Sequence, residues 1–108
     1  MKARRRRKRR LIWARRAVSD LDAIHGYIGR DDTVAADRWV RALMALAERA
    51  AKLPWTGRKV PELSRDEFRE MIKRTYRVVY RVSETEVEVL TVFEGHRTFP
   101  RGVGQEEQ

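Results

Sequence analysis

A chain of 108 residues fits one domain and can bury a core with a modest stability margin. Its 42% apolar content excludes a disordered composition, no apolar run is long enough to span a membrane, and the short stretch Leu11–Ala14 cannot serve as the apolar part of a secretory signal, so a cytoplasmic protein is expected. The absence of cysteine excludes disulfides, thiolate metal sites and cysteine nucleophiles, while the net charge of +9 raises the question of nucleic acid.

That charge is unevenly placed. Lys2, Arg4, Arg5, Arg6, Arg7, Lys8, Arg9 and Arg10 fill residues 1–10 without one acid; removing these eight leaves 17 basic against 16 acidic groups, a nearly neutral remainder. Nucleic-acid specificity would therefore need a local site rather than the bulk field. Residues 1–10 are expected as a disordered basic tail. It can be read as an arm for polyanions, as a solvated extension without a role, or as a product of start-codon choice, the next methionine being Met44 inside the domain. The folded domain is expected over residues 11–100, and a frayed C-terminal tail over 101–108.

Leu11–Ala14 reads as a short strand. Ser19 is placed as a helix N-cap, with Asp20 and Asp22 in the first turn where the helix dipole favours negative charge; Val18, Leu21, Ile24, His25 and Ile28 follow at helical spacing, and Gly29 with Asp31 and Asp32 ends that helix. Thr33 is expected to cap a second, longer helix. Its apolar stripe runs through Ala36, Val40, Leu43, Ala47 and Ala50, and Leu53 leaves the helical region because Pro54 follows. Two such helices joined by a few residues form an antiparallel hairpin in need of a flat surface to cover.

Residues 54–64 read as a loop with Gly57 and Pro61, and 68–73 as a strand. In the next strand, 75–82, Tyr76, Val78, Tyr80 and Val82 share one face, and Arg77, Val79 and Arg81 the other. A two-residue turn at Glu84–Thr85 before the last strand, 86–93, sets Val82 against Val87, Tyr80 against Val89 and Arg81 against Glu88. The expected fold is α+β, in the order β-α-α-β-β-β: a helical hairpin packed on a small antiparallel sheet, with the other sheet face partly open. Trp13, Tyr76 and Tyr80 are expected to fill the core, as is His25 on its helix face, whereas Trp55 beside Pro54 is expected at the surface.

Four stretches in this order resemble the RelE/ParE superfamily of toxins from type II toxin–antitoxin systems, over roughly residues 9–98. They are Ile12-Trp13-Ala14-Arg15-Arg16-Ala17 with Asp20-Leu21; Leu53-Pro54 with Gly57-Arg58-Lys59-Val60-Pro61-Glu62-Leu63; Tyr76-Arg77-Val78-Val79-Tyr80; and Val89-Leu90-Thr91-Val92 with Gly95-His96-Arg97. The resemblance implies a growth-inhibiting toxin neutralised by a cognate antitoxin, in a possible hetero-oligomer. It leaves the target open. One branch cuts mRNA in the ribosomal A site without metal or other cofactor, and the other poisons DNA gyrase. A degenerate member that binds only its antitoxin, and a basic nucleic-acid-binding protein driven by the tail, are the remaining alternatives.

Cleavage by a ribose 2′-hydroxyl needs a base, a cation at the phosphate and an acid for the leaving oxygen. By resemblance these roles fall to Glu62, Arg77 and His96. A guanidinium is planar and permanently charged, and an imidazole titrates near pH 6.5 (~) when unperturbed. Arg97, Arg69 and Arg81 are further candidates for phosphate contacts. Against these stand simpler roles: Glu62 paired with Arg58 or Lys59, Arg81 paired with Glu88, and Arg77 solvated on an open sheet face. The ribonuclease pattern is also incomplete. Phe68 and Glu70 stand where that branch carries lysines, and Thr98-Phe99 follow Arg97 where it has a tyrosine. No metal-ligand cluster, phosphate loop or Ser–His–Asp arrangement is visible, and no membrane association is expected.

Overall fold

A computed structural model describes residues 8–105. Strand β1 (Arg10–Trp13) is followed by helices α1 (Arg15–Gly29) and α2 (Thr33–Lys52), a single 3₁₀ turn (Pro54–Thr56), the short strand β2 (Arg58–Lys59), and strands β3 (Phe68–Lys73), β4 (Tyr76–Val82) and β5 (Glu86–Glu94). The fold is α+β, as expected, but the sheet is mixed rather than wholly antiparallel. Its five strands lie in the order β1-β5-β4-β3-β2, with β1 parallel to β5. A crossover is what parallel neighbours require, and here the α1–α2 hairpin is that crossover. Strand β2, two residues inside the expected loop, adds a rim.

Both helix starts differ from expectation. Helix α1 begins at Arg15, so Ser19 is interior and Ala14 makes no side-chain cap. Asp20 turns toward the sheet instead: its Oδ2 accepts the Thr91 hydroxyl at 2.5 Å and the Val92 N–H at 3.0 Å. Helix α2 is capped by Asp32, whose carboxylate accepts the Ala35 N–H at 3.0 Å, rather than by Thr33. A carboxylate at this position reaches the third N–H of the helix and carries a charge the dipole favours. The exit is as read, since α2 ends at Lys52 ahead of Leu53 and Pro54.

The β4–β5 hairpin has the expected register: Val82 pairs with Val87, Arg81 with Glu88 and Tyr80 with Val89. A bulge follows. Val79 pairs with Thr91, which leaves Leu90 as the extra residue. That residue resets the alternation along β5, so Val87, Val89 and Val92 all pack on the helix side while Leu90 and Phe93 pack on the opposite side. On the helix side, Leu43, Leu46, Ala47 and Ala50 of α2 and Ala17 of α1 cover Val78, Tyr80, Val82, Val87, Val89 and Val92. Tyr80 is fully buried, Trp13 and Tyr76 partly so. His25 is not a core residue; its Nε2 lies 2.7 Å from Asp37 and joins α1 to α2 at the surface.

The opposite sheet face is covered rather than open. Val60, Phe68, Val79, Phe93 and Val103 form a second buried cluster, with Leu63, Leu90 and Phe99 against it. The cover is the chain itself, from the loop before β3 and from the stretch after β5. Val103, within the segment expected to fray, is only 4% exposed. Strand β1 likewise takes in Arg10, the last residue of the expected tail; residues 1–7 and 106–108 lie outside the described part. Among the described residues, no helix is long and apolar enough to cross a membrane.

Candidate functional site

Arg77 projects from the central strand β4 into this covered face, and the fold surrounds it with partners. Its Nε donates to Glu70 Oε1 at 2.7 Å, and its two terminal nitrogens donate to both oxygens of Glu62, at 2.7 and 3.0 Å. The guanidinium carbon lies 5.0 Å from the Phe93 ring centroid and 5.6 Å from that of Phe99. Glu70, on the neighbouring strand β3, has a fully buried side chain, and its second oxygen accepts Arg58 Nε of β2 at 2.6 Å. Two guanidiniums and two carboxylates thus balance, with Glu70 and Arg77 buried beside Phe93 and Phe99 and with Glu62 and Arg58 reaching the surface; charge-assisted bonds at the buried pair are short and strong. Glycine at position 95 fits this packing closely, since a Cβ there would meet Arg77 Cδ at 3.3 Å and the Thr75 carbonyl oxygen at 2.9 Å.

The electrostatics follow from the same contacts. The bidentate bond from Arg77 holds the Glu62 carboxyl below its ordinary range against a smaller opposing effect of burial, and Glu62 raises Arg77 in return. A carboxylate held low is a weak base, and a guanidinium bonded to two carboxylates has its charge already balanced.

Of the three residues assigned to RNA cleavage, the structure joins Glu62 and Arg77 in a direct ion pair, whereas His96 bonds Glu94 instead. His96 is exposed beyond the end of β5; its Nδ1 lies 2.8 Å from Glu94 Oε2, and its backbone N–H donates to the other Glu94 oxygen at 2.9 Å. Those bonds lower the Glu94 carboxyl below its usual range. Arg69 is engaged by Asp66 and by the Gly57 carbonyl, with its guanidinium 4.9 Å from the Trp55 ring centroid. Arg81 pairs with Glu88 at 3.0 Å. The Arg97 side chain makes no hydrogen bond or ion pair with any described residue and borders a groove with Tyr27 and Tyr76.

Sequence reasoning paired Glu62 with Arg58 or Lys59 and left Arg77 solvated; the structure pairs Glu62 with Arg77 instead. Glu70, Arg58, Phe93 and Phe99 complete the cluster, and one signal was available: a glutamate inside the strand Phe68-Arg69-Glu70-Met71-Ile72 must find a cation if it is buried. Among the described residues no group of three or more histidine, aspartate or glutamate side chains is placed to hold a metal ion.

Comparison with known proteins bears on the same segment. Residues 11–99 match the family described as the ParE toxin of type II toxin–antitoxin systems, parDE. The toxin candidate Y4kP of Sinorhizobium fredii is 34% identical over 94 residues, covering 87% of this chain and 96% of that protein. A chain from the chromosomal ParDE toxin–antitoxin system of P. aeruginosa superposes with a TM-score of 0.67 at 22% identity, over 81% of this chain and 96% of the other, and so shares the fold.

Proposed function

The chain belongs to the ParE toxin family of type II toxin–antitoxin systems, and from that premise we propose that it arrests growth by binding a protein target, DNA gyrase, without cutting RNA. Family membership implies a cognate antitoxin as its other partner. The reading rests on one observation: the Arg77 guanidinium is engaged by Glu62 and Glu70 and flanked by Phe93 and Phe99. A cation held this way helps to close the outer face of the sheet and is not presented to a scissile phosphate.

The test is induction of the chain in a bacterial host, mapping mRNA ends and plasmid supercoiling together, followed by supercoiling assays with purified gyrase. Growth arrest with intact mRNA and broken or relaxed DNA is expected. New cuts inside translated codons that vanish in Arg77→Ala, with the variant still folded, would instead establish the ribonuclease reading.

A further inference from the structure

We propose that the end of the domain formed by the β3–β4 turn, the exit of β5 and the adjoining halves of α1 and α2 binds an unpaired nucleic-acid strand. Two grooves meet there. The first is lined by Arg38 and Trp39 of α2 and by Lys73 and Arg74 of the β3–β4 turn, with no carboxylate in its wall. The second is lined by Tyr27, Tyr76 and Arg97 among others. Trp39 and Tyr76 join them, their ring centroids 5.4 Å apart. Tyr27 stands 70% exposed, with the Arg30 guanidinium carbon 5.7 Å from its ring centroid.

Three features point to a strand of phosphates and bases. First, Arg38, Lys73, Arg74 and Arg97 are exposed, and none has an ion pair among the described residues. These four gather at one end of the domain around the two grooves, and the wall of the first holds no acid to match them. Second, cations beside accessible ring faces are what a sequence-tolerant single-strand surface requires, the cations for backbone and the rings for base faces; Tyr27 is exposed, and the half-buried Trp39 and Tyr76 line the grooves. The two carboxylates of the second groove already have donors, Asp20 from Thr91 and Val92, and Glu94 from His96. Third, Arg74 sits at the tip of its turn with φ 57°, a left-handed conformation that favours glycine or asparagine. An arginine there is held in a strained conformation, and it is exposed at the end of the sheet.

This inference goes beyond the protein-target reading and is tested without gyrase. Full-length protein would be titrated against a labelled thymidine oligonucleotide of about 15 nucleotides, its uridine RNA counterpart and a duplex of the same length, across a range of salt. The Arg38→Ala/Arg74→Gly double variant is expected to bind the single strands roughly tenfold more weakly. Its slope of log affinity against log salt should fall by about 1.4, two phosphate contacts at about 0.7 each. Because Arg74→Gly removes backbone strain, its melting temperature should not fall, which separates lost binding from lost folding. Tyr27→Ala is expected to weaken single-strand binding roughly tenfold with an unchanged salt slope, and to leave duplex binding unaffected. Preference for the DNA or the RNA oligomer identifies the strand, and either supports the surface. Variants that bind like the original chain at every salt concentration would overturn it, assigning any binding to residues 1–10. Duplex preference with no effect of Tyr27→Ala, displacement of the oligonucleotide by polyglutamate at equal charge, or no binding by the unaltered chain would each overturn it as well.

Discussion

Arg77→Ala tests whether the central arginine serves the fold. The change leaves the fully buried Glu70 carboxylate with Arg58 alone, whose side chain is 57% exposed. Removing one partner of a buried pair costs about 3–5 kcal/mol, and the remaining cation places the loss near the lower end. The contacts of the guanidinium with Phe93 and Phe99 add about 0.5–1 kcal/mol each. The Glu62 bond adds less than about 1 kcal/mol, because that side chain is 39% exposed and screened. A total near 4 kcal/mol is a large part of the ~5–15 kcal/mol that holds a domain together, and at about 4 °C per kcal/mol it lowers the melting temperature by about 15 °C. Urea unfolding and thermal melts read this directly. The double change Glu70→Met/Arg77→Met strands no charge, so it should recover most of the loss, and a double-mutant cycle should show coupling of several kcal/mol, on the order of 2–3. Should Arg77→Ala melt within about 2 °C of the unaltered protein, the cluster would not be structural, and Arg77 would be free for a ligand.

Four further perturbations examine the surrounding fold. Glu62 has a carboxyl held low by Arg77, so it stabilises the protein at pH above the ordinary glutamate range, and that contribution disappears as pH falls through the lowered value; Glu62→Gln should flatten the acid limb of a stability–pH profile. Gly57→Ala would drive a Cβ into the Tyr80 hydroxyl, itself bonded to the Pro54 carbonyl at 2.7 Å, and to 2.8 Å from the Glu70 carbonyl oxygen, for a loss of about 2 kcal/mol or more in urea unfolding. Val103→Asp should cost about 2 kcal/mol by removing a buried side chain, and hydrogen exchange should quicken in residues 99–105 ahead of the sheet. Asp20→Ala leaves the Thr91 hydroxyl and the Val92 N–H without their acceptor, about 2 kcal/mol by thermal melt, whereas Asp20→Asn keeps an acceptor and should lose less.

The residues that could be read in advance were those whose partners are near in sequence or fixed by a period. Tyr80, Arg81 and Val82 found Val89, Glu88 and Val87 because a two-residue turn sets their register. Alternation placed Val78 and Tyr80 beneath α2. What escaped reading depends on distant contacts. Asp20 looked like a first-turn acid, but the helix begins at Arg15 and the Asp20 carboxylate bonds a strand residue 71 positions away. Val103 follows glycine and precedes another, a pattern of loose ends, yet the uncovered Val79 and Phe93 draw it in. The Glu62–Arg77 pair was assigned chemistry by resemblance, but Glu70 decides its surroundings and comes from a third segment, so no local pattern could reveal that the arginine was already occupied.

That occupancy has a thermodynamic consequence for any activity requiring Arg77 to meet a phosphate. Withdrawing the guanidinium from the cluster forfeits the same ~4 kcal/mol estimated for its removal. At 1.4 kcal/mol per decade, the released conformer is then about one molecule in a thousand. A ligand recruiting it would have its apparent affinity reduced by the same factor, because only the released fraction binds. This places the phosphate-cutting reading at a disadvantage that a protein-binding surface does not share. The exposed cations and rings at the far end of β3, β4 and β5 face no such requirement, since Arg38, Lys73, Arg74 and Arg97 are available without breaking an ion pair to a described residue. Interior arginine and exterior arginines thus divide the work, the first closing the outer face of the sheet and the others remaining free to meet a partner.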